Sequence, residues 1–149
     1  MNAETATQPD VSQKLIGHWE QVCRKLEALA EEFPAQKFDS SPVAGTRTVA
    51  EVLRHLAFWN NYVADIARGK KADDSSNELP RDKFRTRAEI LSAFKRSTSG
   101  ATDALRANSS GLSVELADTV VSFIEHNSEH YGQLVSYARL NGIVPPASR

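Results

Sequence analysis

Apolar residues recur every three or four positions in four long segments of this chain, and that spacing places them on one face of an α-helix. No segment shows the two-residue alternation that is typical of a half-buried strand. Asp10 supplies an N-cap for the first segment, and Pro34 ends it. The inward stripe of this segment is Val11, Leu15, His18, Val22, Leu26, Leu29 and Phe33. The pattern predicts an all-α protein.

Short local signals place the ends of three further helices. The sequences T-V-A-E from Thr48 and T-R-A-E from Thr86 are capping boxes, in which two side chains satisfy backbone N–H groups at a helix start. Gly69 ends the second helix, and the break N-S-S-G ends the third. The fourth begins near Ser113 and stops before Gly142. Four helices of this length predict a four-helix bundle, whose packing order periodicity alone leaves open.

The length and composition are those of a globular protein. A chain of 149 residues, 40% apolar and 25% charged, is long enough to bury a hydrophobic core. We expect residues 1–9, which are small and polar, to form a disordered tail and residues 10–149 to form a single domain. The polar segment 69–85 lacks periodicity, which predicts a long surface loop.

Charge and cysteine content narrow the function classes. A net charge of −1 gives no electrostatic reason to expect nucleic acid or an anionic membrane as a partner. No apolar run is long enough to cross a bilayer, and the N-terminus lacks the pattern of a secretory signal. The single cysteine, Cys23, suits a reducing compartment, and we interpret it as a small buried residue. We therefore expect a cytoplasmic protein.

Three histidines fall on the inward stripes of the second and fourth helices. His126 and His130 lie one turn apart, so their side chains share a face. His55 lies on the stripe of the second helix, one turn before Trp59. The stripe of the fourth helix is Leu116, Val120, Phe123, His126, His130, Leu134 and Tyr137. The bundle is thus predicted to direct three imidazoles into one interior.

Two interpretations of these histidines remain open. Each ring can be a hydrogen-bonded core residue, the common role of a histidine on an apolar face. Alternatively, the rings bind a divalent metal, which avoids burying unpaired nitrogens at about 1–3 kcal/mol each. Neutral imidazoles suit zinc or nickel better than calcium or magnesium. Three protein ligands also leave one coordination position open, as in catalytic sites.

Two motifs carry a resemblance to a known family. The sequence T-V-A-E-V-L-R-H-L-A-F-W-N-N-Y-V surrounds His55, and H-N-S-E-H-Y-G-Q-L-V-S-Y-A-R-L-N-G-I-V-P-P begins at His126. With these motifs the chain resembles the DinB-like, or YfiT-like, superfamily over residues 10–146. The resemblance implies an up-down-down-up four-helix bundle and, as in many relatives, a homodimer. It also implies a zinc or nickel site held by His55, His126 and His130.

The resemblance implies more than one kind of activity. Some relatives are thiol-dependent transferases, so the first expectation is a thiol S-transferase. In such an enzyme the metal lowers the pKa of a low-molecular-weight thiol that attacks a small-molecule substrate. A hydrolase that uses metal-bound hydroxide is the alternative enzyme. A third reading is a metal- or ligand-binding bundle that acts in a stress response without turnover.

Two glutamates are candidates for roles beside the metal. Glu129 is a weak candidate for a catalytic group, because it lies about 100° around the helix from His130. Glu51 precedes His55 by one turn and is a candidate acceptor for the second nitrogen of that ring. Its alternative role, as the capping-box partner of Thr48, is sufficient to explain it.

Three further residues are predicted to line a substrate pocket. His18 occupies an inward position between Leu15 and Val22 on the first helix. Trp59 and Tyr62 follow His55 on the second helix at three- and four-residue steps. These side chains either form part of a cavity wall beside the histidines or belong to the core.

Overall fold

A computed structural model of the chain describes residues 10–149, which form four α-helices and no β-strand. The helices are α1 (Val11–Glu32), α2 (Val49–Ala67), α3 (Arg87–Arg106) and α4 (Val114–Leu140). Short 3₁₀ helices follow α1 at Ala35–Lys37 and α4 at Pro146–Ser148. The all-α prediction is confirmed, whereas the predicted tail at residues 1–9 lies outside the described residues.

All four helices begin at the N-caps that the sequence indicates, and three of these caps are reciprocal. The hydroxyl groups of Thr48 and Thr86 accept the backbone N–H groups of Glu51 and Glu89, respectively. Both glutamates return a carboxylate oxygen to the N–H of their threonine. Asp10 forms a third reciprocal cap at the start of α1. These bonds satisfy donors that have no partner within the helix, so the boundaries follow from local chemistry.

Side-chain contacts establish the direction of α1 relative to α3. Trp19, early in α1, donates its indole N–H to the hydroxyl of Thr102, late in α3, at 3.1 Å. Glu31, at the other end of α1, forms an ion pair with Lys95 in the first half of α3. The two helices therefore run antiparallel.

The remaining pairs complete the topology. Asn60 contacts Ser97 at 3.2 Å, and Arg68, just after α2, contacts the carbonyl of Gly100, so α2 and α3 are parallel. The apolar clusters pair the N-terminal halves of α1 and α4 with each other, so those helices are parallel as well. Each of α1 and α2 packs against both α3 and α4. The up-down-down-up order implied by the family resemblance is confirmed.

Two clusters of buried apolar side chains fill the interior, one toward each end of the bundle. Representative members are Leu26, Phe33, Leu53 and Phe94 in the first cluster and Trp19, Val63, Leu105 and Val120 in the second. Asn60, Ser97 and Asn127 are also buried, and along each helix they lie between the two clusters. Among the helices of residues 10–149, none combines the length and hydrophobicity that crossing a lipid bilayer requires.

The inward face of α1 differs from the prediction. Trp19 is fully buried, whereas His18 is exposed. Either residue fits the three- and four-residue steps between Leu15 and Val22. The indole takes the interior because its burial removes more apolar surface from water, and its N–H finds a partner there. The prediction that His18 occupies an inward, pocket-lining position is wrong.

The segment 69–85 packs more closely than a surface loop. Leu79 lies against the apolar core, and its N–H donates to the carbonyl of Arg54 at 3.3 Å. The Arg54 guanidinium is buried and binds the carboxylate of Glu78 at 2.7 Å. Because these bonds fix Glu78 and Leu79 to α2, they also hold the neighbouring Asn77 against that helix.

Candidate metal centre

The three predicted ligands come together between α2 and α4. His55 projects from the middle of α2, and His126 and His130 share one face of α4. The ring centroids are 4.9 Å apart for His55 and His126, 4.8 Å for His55 and His130, and 4.7 Å for the α4 pair. His55 is buried, and the other two rings are half-buried. Antiparallel packing of α2 on α4 thus forms one cluster from two distant segments.

Ring nitrogens of the three histidines converge at the centre of this cluster. The Nε2 atoms of His55 and His126 are 2.8 Å apart, and one ring nitrogen of each histidine lies within 4.8 Å of the other two. A zinc–nitrogen bond of about 2.0–2.1 Å places two ligand nitrogens about 3–4 Å apart. The observed separations bracket that range. Within residues 10–149, this is the one group of His, Cys, Asp or Glu side chains that converges in this way.

The opposite nitrogen of each ring has an oxygen partner in its own surroundings. These Nδ1 contacts are His55 to the carbonyl of Asn77 at 2.7 Å, His126 to Oδ1 of Asn127 at 3.3 Å, and His130 to Oε1 of Gln133 at 2.8 Å. A hydrogen bond on one ring nitrogen orients the imidazole and leaves the other nitrogen for a metal. Each of the three rings is therefore oriented by a hydrogen bond at its Nδ1 atom, on the side away from the centre of the cluster.

Glu51 does not act as the acceptor for His55. Its carboxylate accepts the N–H of Thr48 at 2.7 Å and pairs with Arg81 at 2.8 Å. The hydrogen bond from Thr48 is the largest cause that lowers the pKa of this carboxyl. Because the carbonyl of Asn77 occupies the His55 nitrogen, the prediction of Glu51 as its partner is wrong, and the capping role of Glu51 is confirmed.

Burial keeps the three imidazoles neutral. Desolvation is the largest cause that lowers the pKa of each ring, and together with the neighbouring rings it lowers the pKa of His126 to about 4. The positive charge of Arg47 lowers the pKa of all three rings further. Neutral imidazole is the form that coordinates metals. At neutral pH the cluster is therefore in the protonation state that a cation requires.

The hydrogen bond of His55 tests whether a cation fits. The carbonyl of Asn77 can only accept, so Nδ1 of His55 carries the hydrogen of the neutral ring and Nε2 presents a bare lone pair. That lone pair faces Nε2 of His126 at 2.8 Å. Either a hydrogen on the second nitrogen or a cation between them stabilises this approach. A divalent cation also engages the third ring, so the residues present fit such an ion.

A positive side chain lies beside the cluster. Arg47 immediately precedes the N-cap of α2 and is half-buried, and its backbone carbonyl accepts the hydroxyl of Tyr137 at 2.8 Å. Within residues 10–149 the Arg47 guanidinium forms no ion pair, unlike the paired Arg54 and Arg81. A free guanidinium near a cation site favours an anion as the additional ligand.

Aromatic side chains adjoin the histidines on the other side. Phe123 lies edge-on to His126 with centroids 5.6 Å apart, and Trp59 stacks on Phe123 at 5.7 Å. Tyr62 follows at 5.3 Å from Trp59 and borders a cavity of about 460 Å³ between α2 and the segment 69–85. Two of the predicted pocket residues, Trp59 and Tyr62, thus lie in one aromatic group that reaches His126.

Other candidate residues lie away from the converging nitrogens. Glu129 is exposed, and its negative charge only partly offsets the lowered pKa of His130. His18 is exposed on α1 and does not belong to the cluster. Cys23 is buried, as predicted, and desolvation above all raises the pKa of its thiol to about 12.

The sequence interpretation missed four polar residues beside the rings: Arg47, Asn77, Asn127 and Gln133. Asn127 had a readable signal, since it lies seven residues from both Val120 and Leu134 and therefore on their buried face. The sequence carries no such signal for Asn77, because its segment lacks periodicity and its contact with His55 depends on the folded chain.

The fold and the cluster define a class of protein, a four-helix bundle with three histidines able to hold a metal ion between α2 and α4. A family model described as the DinB superfamily matches residues 18–134, a range that contains all three histidines. The chain belongs to the DinB superfamily, and the resemblance noted from its motifs is confirmed. No curated protein matches the chain.

Proposed function

We propose that the protein is a metal-dependent thiol S-transferase. His55, His126 and His130 hold a divalent ion, zinc or nickel, and a low-molecular-weight thiol attacks an electrophilic small molecule beside it. The observation that carries the proposal is the convergence of ring nitrogens from two helices to within 4.8 Å. Membership of the DinB superfamily supports the metal site, because the match at residues 18–134 covers α2, most of α4 and all three histidines.

The protein's part in this chemistry is to present three neutral, oriented imidazoles. Burial lowers the pKa of each ring, and the Nδ1 partners fix each ring plane. When bound, an ion with three protein ligands supplies a Lewis acid that lowers the pKa of a thiol at its open position. The preference for zinc or nickel follows from the nitrogen donors.

The position of Arg47 supports the part of the proposal in which the reactant is an anion. A thiolate is an anion, and the guanidinium of Arg47, which forms no ion pair with residues 10–149, stabilises negative charge beside the histidines. We expect Arg47→Gln to raise the KM for the thiol several-fold, since the charge is lost and the backbone carbonyl stays. Arg85→Gln removes an exposed arginine of the same size and is the matched control. Equal KM values for both variants would remove Arg47 from the proposal.

The aromatic group supports an apolar electrophile. Phe123 lies next to His126 and Trp59 stacks on Phe123, and such aromatic surfaces bind apolar parts of a small molecule. In the transfer, one sulfur–carbon bond forms while the bond from carbon to the leaving group breaks. The leaving group keeps that electron pair, and the thiol proton passes to solvent. The step needs no oxidant or reductant.

A conjugation assay tests the proposal. Purified protein, reconstituted with zinc or nickel and assayed with cellular thiols, is expected to conjugate monochlorobimane with release of chloride. Activity should require both metal and thiol, and elemental analysis should find close to one divalent ion per chain. His130→Ala is the inactive control, and His18→Ala should retain activity because His18 is exposed on α1.

Other outcomes point to other functions. Metal-bound protein that cleaves esters or amides and ignores every thiol indicates the hydrolase. Metal-bound protein without either activity indicates a binding or sensing bundle. If the protein binds neither zinc nor nickel, the three histidines are hydrogen-bonded core residues. The homodimer, the cytoplasmic location and the single domain over residues 10–149 stay predictions, and ultracentrifugation tests the first of them.

A further inference from the structure

A chain of buried polar side chains extends from His126 across the core. Nδ1 of His126 contacts Oδ1 of Asn127 at 3.3 Å, and the amide nitrogen of Asn127 contacts Oδ1 of Asn60 at 3.3 Å. The amide nitrogen of Asn60 contacts the hydroxyl of Ser97 at 3.2 Å. That hydroxyl lies 2.6 Å from the backbone carbonyl of Phe94. The chain therefore links a candidate ligand on α4, through α2, to the backbone of α3.

The far end of this chain determines the direction of every hydrogen bond in it. The carbonyl of Phe94 can only accept, so the Ser97 hydroxyl donates to it and accepts from the NH₂ group of Asn60. The Asn60 oxygen then faces Asn127 and accepts from its NH₂ group. The oxygen of Asn127 is left to face His126, whose Nδ1 must carry a hydrogen. A remote hydroxyl thus sets the position of the imidazole proton.

A second chain of hydrogen bonds, which begins at His130, fixes the position of a ring hydrogen in the same way. Nδ1 of His130 contacts Oε1 of Gln133 at 2.8 Å, and Nε2 of Gln133 contacts the Tyr137 hydroxyl at 2.9 Å. That hydroxyl lies 2.8 Å from the backbone carbonyl of Arg47 and must donate to it. The amide of Gln133 is therefore fixed with its oxygen toward His130. This ring also carries its hydrogen on Nδ1.

We propose that Ser97 and Tyr137 are positioning residues that fix His126 and His130 as the Nδ1–H tautomer and leave their Nε2 atoms unprotonated toward the ion. The proposal rests on the metal site of the proposed function. It decides between the two ways of stabilising the approach of His55 to His126. With the hydrogen of His126 on Nδ1, the two Nε2 atoms direct only lone pairs at each other, and a cation that binds both stabilises their approach.

Burial explains why a few polar residues are enough to fix the orientation of the amides and of the His126 ring. Asn60 and Asn127 have no exposed surface, and Ser97 is 2% exposed, so water does not offer substitute partners. Each amide must therefore keep the orientation that satisfies its neighbour. Apolar residues of similar size would pack in these positions without this constraint. What the polar chain provides is a defined orientation of the ligand.

Nitrogen-15 NMR of the histidine rings tests the tautomers directly in the ion-free protein. We expect Nδ1–H for His126 and His130 in the wild type at neutral pH. Ser97→Ala should produce a mixture of tautomers at His126, because Asn60 loses its acceptor and both amides can turn. Thr98→Val is the matched control, since Thr98 is equally buried and its hydroxyl contacts the carboxylate of Glu27 and the carbonyl of Lys95, away from the histidines.

Zinc affinity, measured by competition with a chelator, gives a second readout. Ser97→Ala and Tyr137→Phe should each weaken zinc binding about 10-fold, the lower end of the range found when a direct partner of a ligating histidine is removed, because both residues act through amides. Thr98→Val and Tyr131→Phe should change it less than about threefold, because neither Thr98 nor Tyr131, a half-buried tyrosine of α4, takes part in the two chains. An Nε2–H tautomer of His126 in the wild type, or equal losses in the variants and their controls, overturns the proposal.

The two readouts separate this proposal from the proposed function. Tautomers are measured without an ion, so they decide the role of Ser97 even if the wild type fails to bind zinc, which would contradict the metal site itself. Conversely, tight zinc binding with no thiol transfer leaves the positioning role supported. Tyr137→Phe keeps the proposal testable if Ser97→Ala does not fold, because the two chains meet the cluster independently.

Discussion

Burial acts on two sets of titratable side chains in this bundle with opposite chemical results. In α1, desolvation raises the pKa of the Cys23 thiol to about 12, and between α2 and α4 it lowers the pKa of the three histidines. Both shifts favour the neutral form. A neutral thiol is a poor nucleophile and ligand, whereas a neutral imidazole is ready to bind metal. One physical cause makes the first region inert and prepares the second.

Nearby charges reinforce the effect of burial in both regions. The carboxylates of Glu27 and Glu20 raise the pKa of Cys23 further, and the guanidinium of Arg47 lowers the pKa of the histidines further. The two regions differ more in the hydrogen-bond partners of their titratable groups. The histidines have oxygen acceptors behind them that orient one nitrogen outward and one inward. The position of charges and acceptors, rather than burial alone, distinguishes a site from a core.

The largest expected effect concerns the reactivity of Cys23. A rise from 9.0 to about 12 is three pKa units, so the thiolate fraction at pH 8 falls about 1000-fold, and alkylation by iodoacetamide should slow at least that much relative to the unfolded chain. Mass spectrometry of the native and the denatured protein measures the two rates. Similar rates in both states would contradict the comparison between the two regions. Cys23→Ala should leave metal binding unchanged.

Removal of one candidate ligand should have the next largest effect. His126→Ala or His130→Ala leaves two rings and should weaken zinc affinity more than about 100-fold, beyond the loss expected when only a partner of a ligand is removed. Competition with a chelator measures it. His18→Ala is the control, because this ring is exposed on α1 and should change the affinity little. A loss at His18 as large as at His130 would show that the ligand set is wrong.

The stability of the ion-free protein should depend on pH through the same histidines. Their pKa values are lower in the folded protein than in the unfolded chain, so the unfolded chain takes up protons first as the pH falls. The free energy of unfolding should be fully present above about pH 6.5 and decrease toward pH 4. Urea denaturation at a series of pH values measures it. His126→Gln should flatten this dependence, and an unchanged slope would mean that His126 is not held neutral.

Much of the fold could be predicted from the sequence because its signals are local. The capping boxes at Thr48 and Thr86 lie where α2 and α3 begin. The residues of α3 that recur at three- and four-residue steps are buried along the whole helix: Ile90, Phe94, Ser97, Ala101 and Leu105. Helix direction depends on contacts between helices, and it came from the family resemblance rather than from periodicity. At His18 the periodic signal was ambiguous by one residue, and the larger Trp19 took the interior.

The candidate site also combines residues that the sequence predicts with residues that it does not predict. His126 and His130 could be paired because they lie one turn apart, and His55 because it shares an apolar stripe. Their partners could not all be predicted, since the contact from Asn77 spans 22 residues and the polar chain from Asn127 passes through three helices. Such contacts exist only after α2, α3 and α4 have packed. The ligands are encoded locally, and their orientation is a property of the assembled bundle.

The smallest expected effect concerns Glu129, the weak catalytic candidate. Its carboxylate is exposed, and it influences the cluster only by partly offsetting the lowered pKa of His130. Glu129→Gln should therefore change kcat of thiol transfer less than about threefold, because an exposed charge is screened by water and salt. Glu125→Gln, one turn earlier on α4 and equally exposed, is the matched control. A loss of about 100-fold or more at Glu129 alone, in the range of general acid–base catalysis, would assign it the proton transfer. It would also extend the site from the bundle interior to the surface of α4, where burial plays no part in tuning the group.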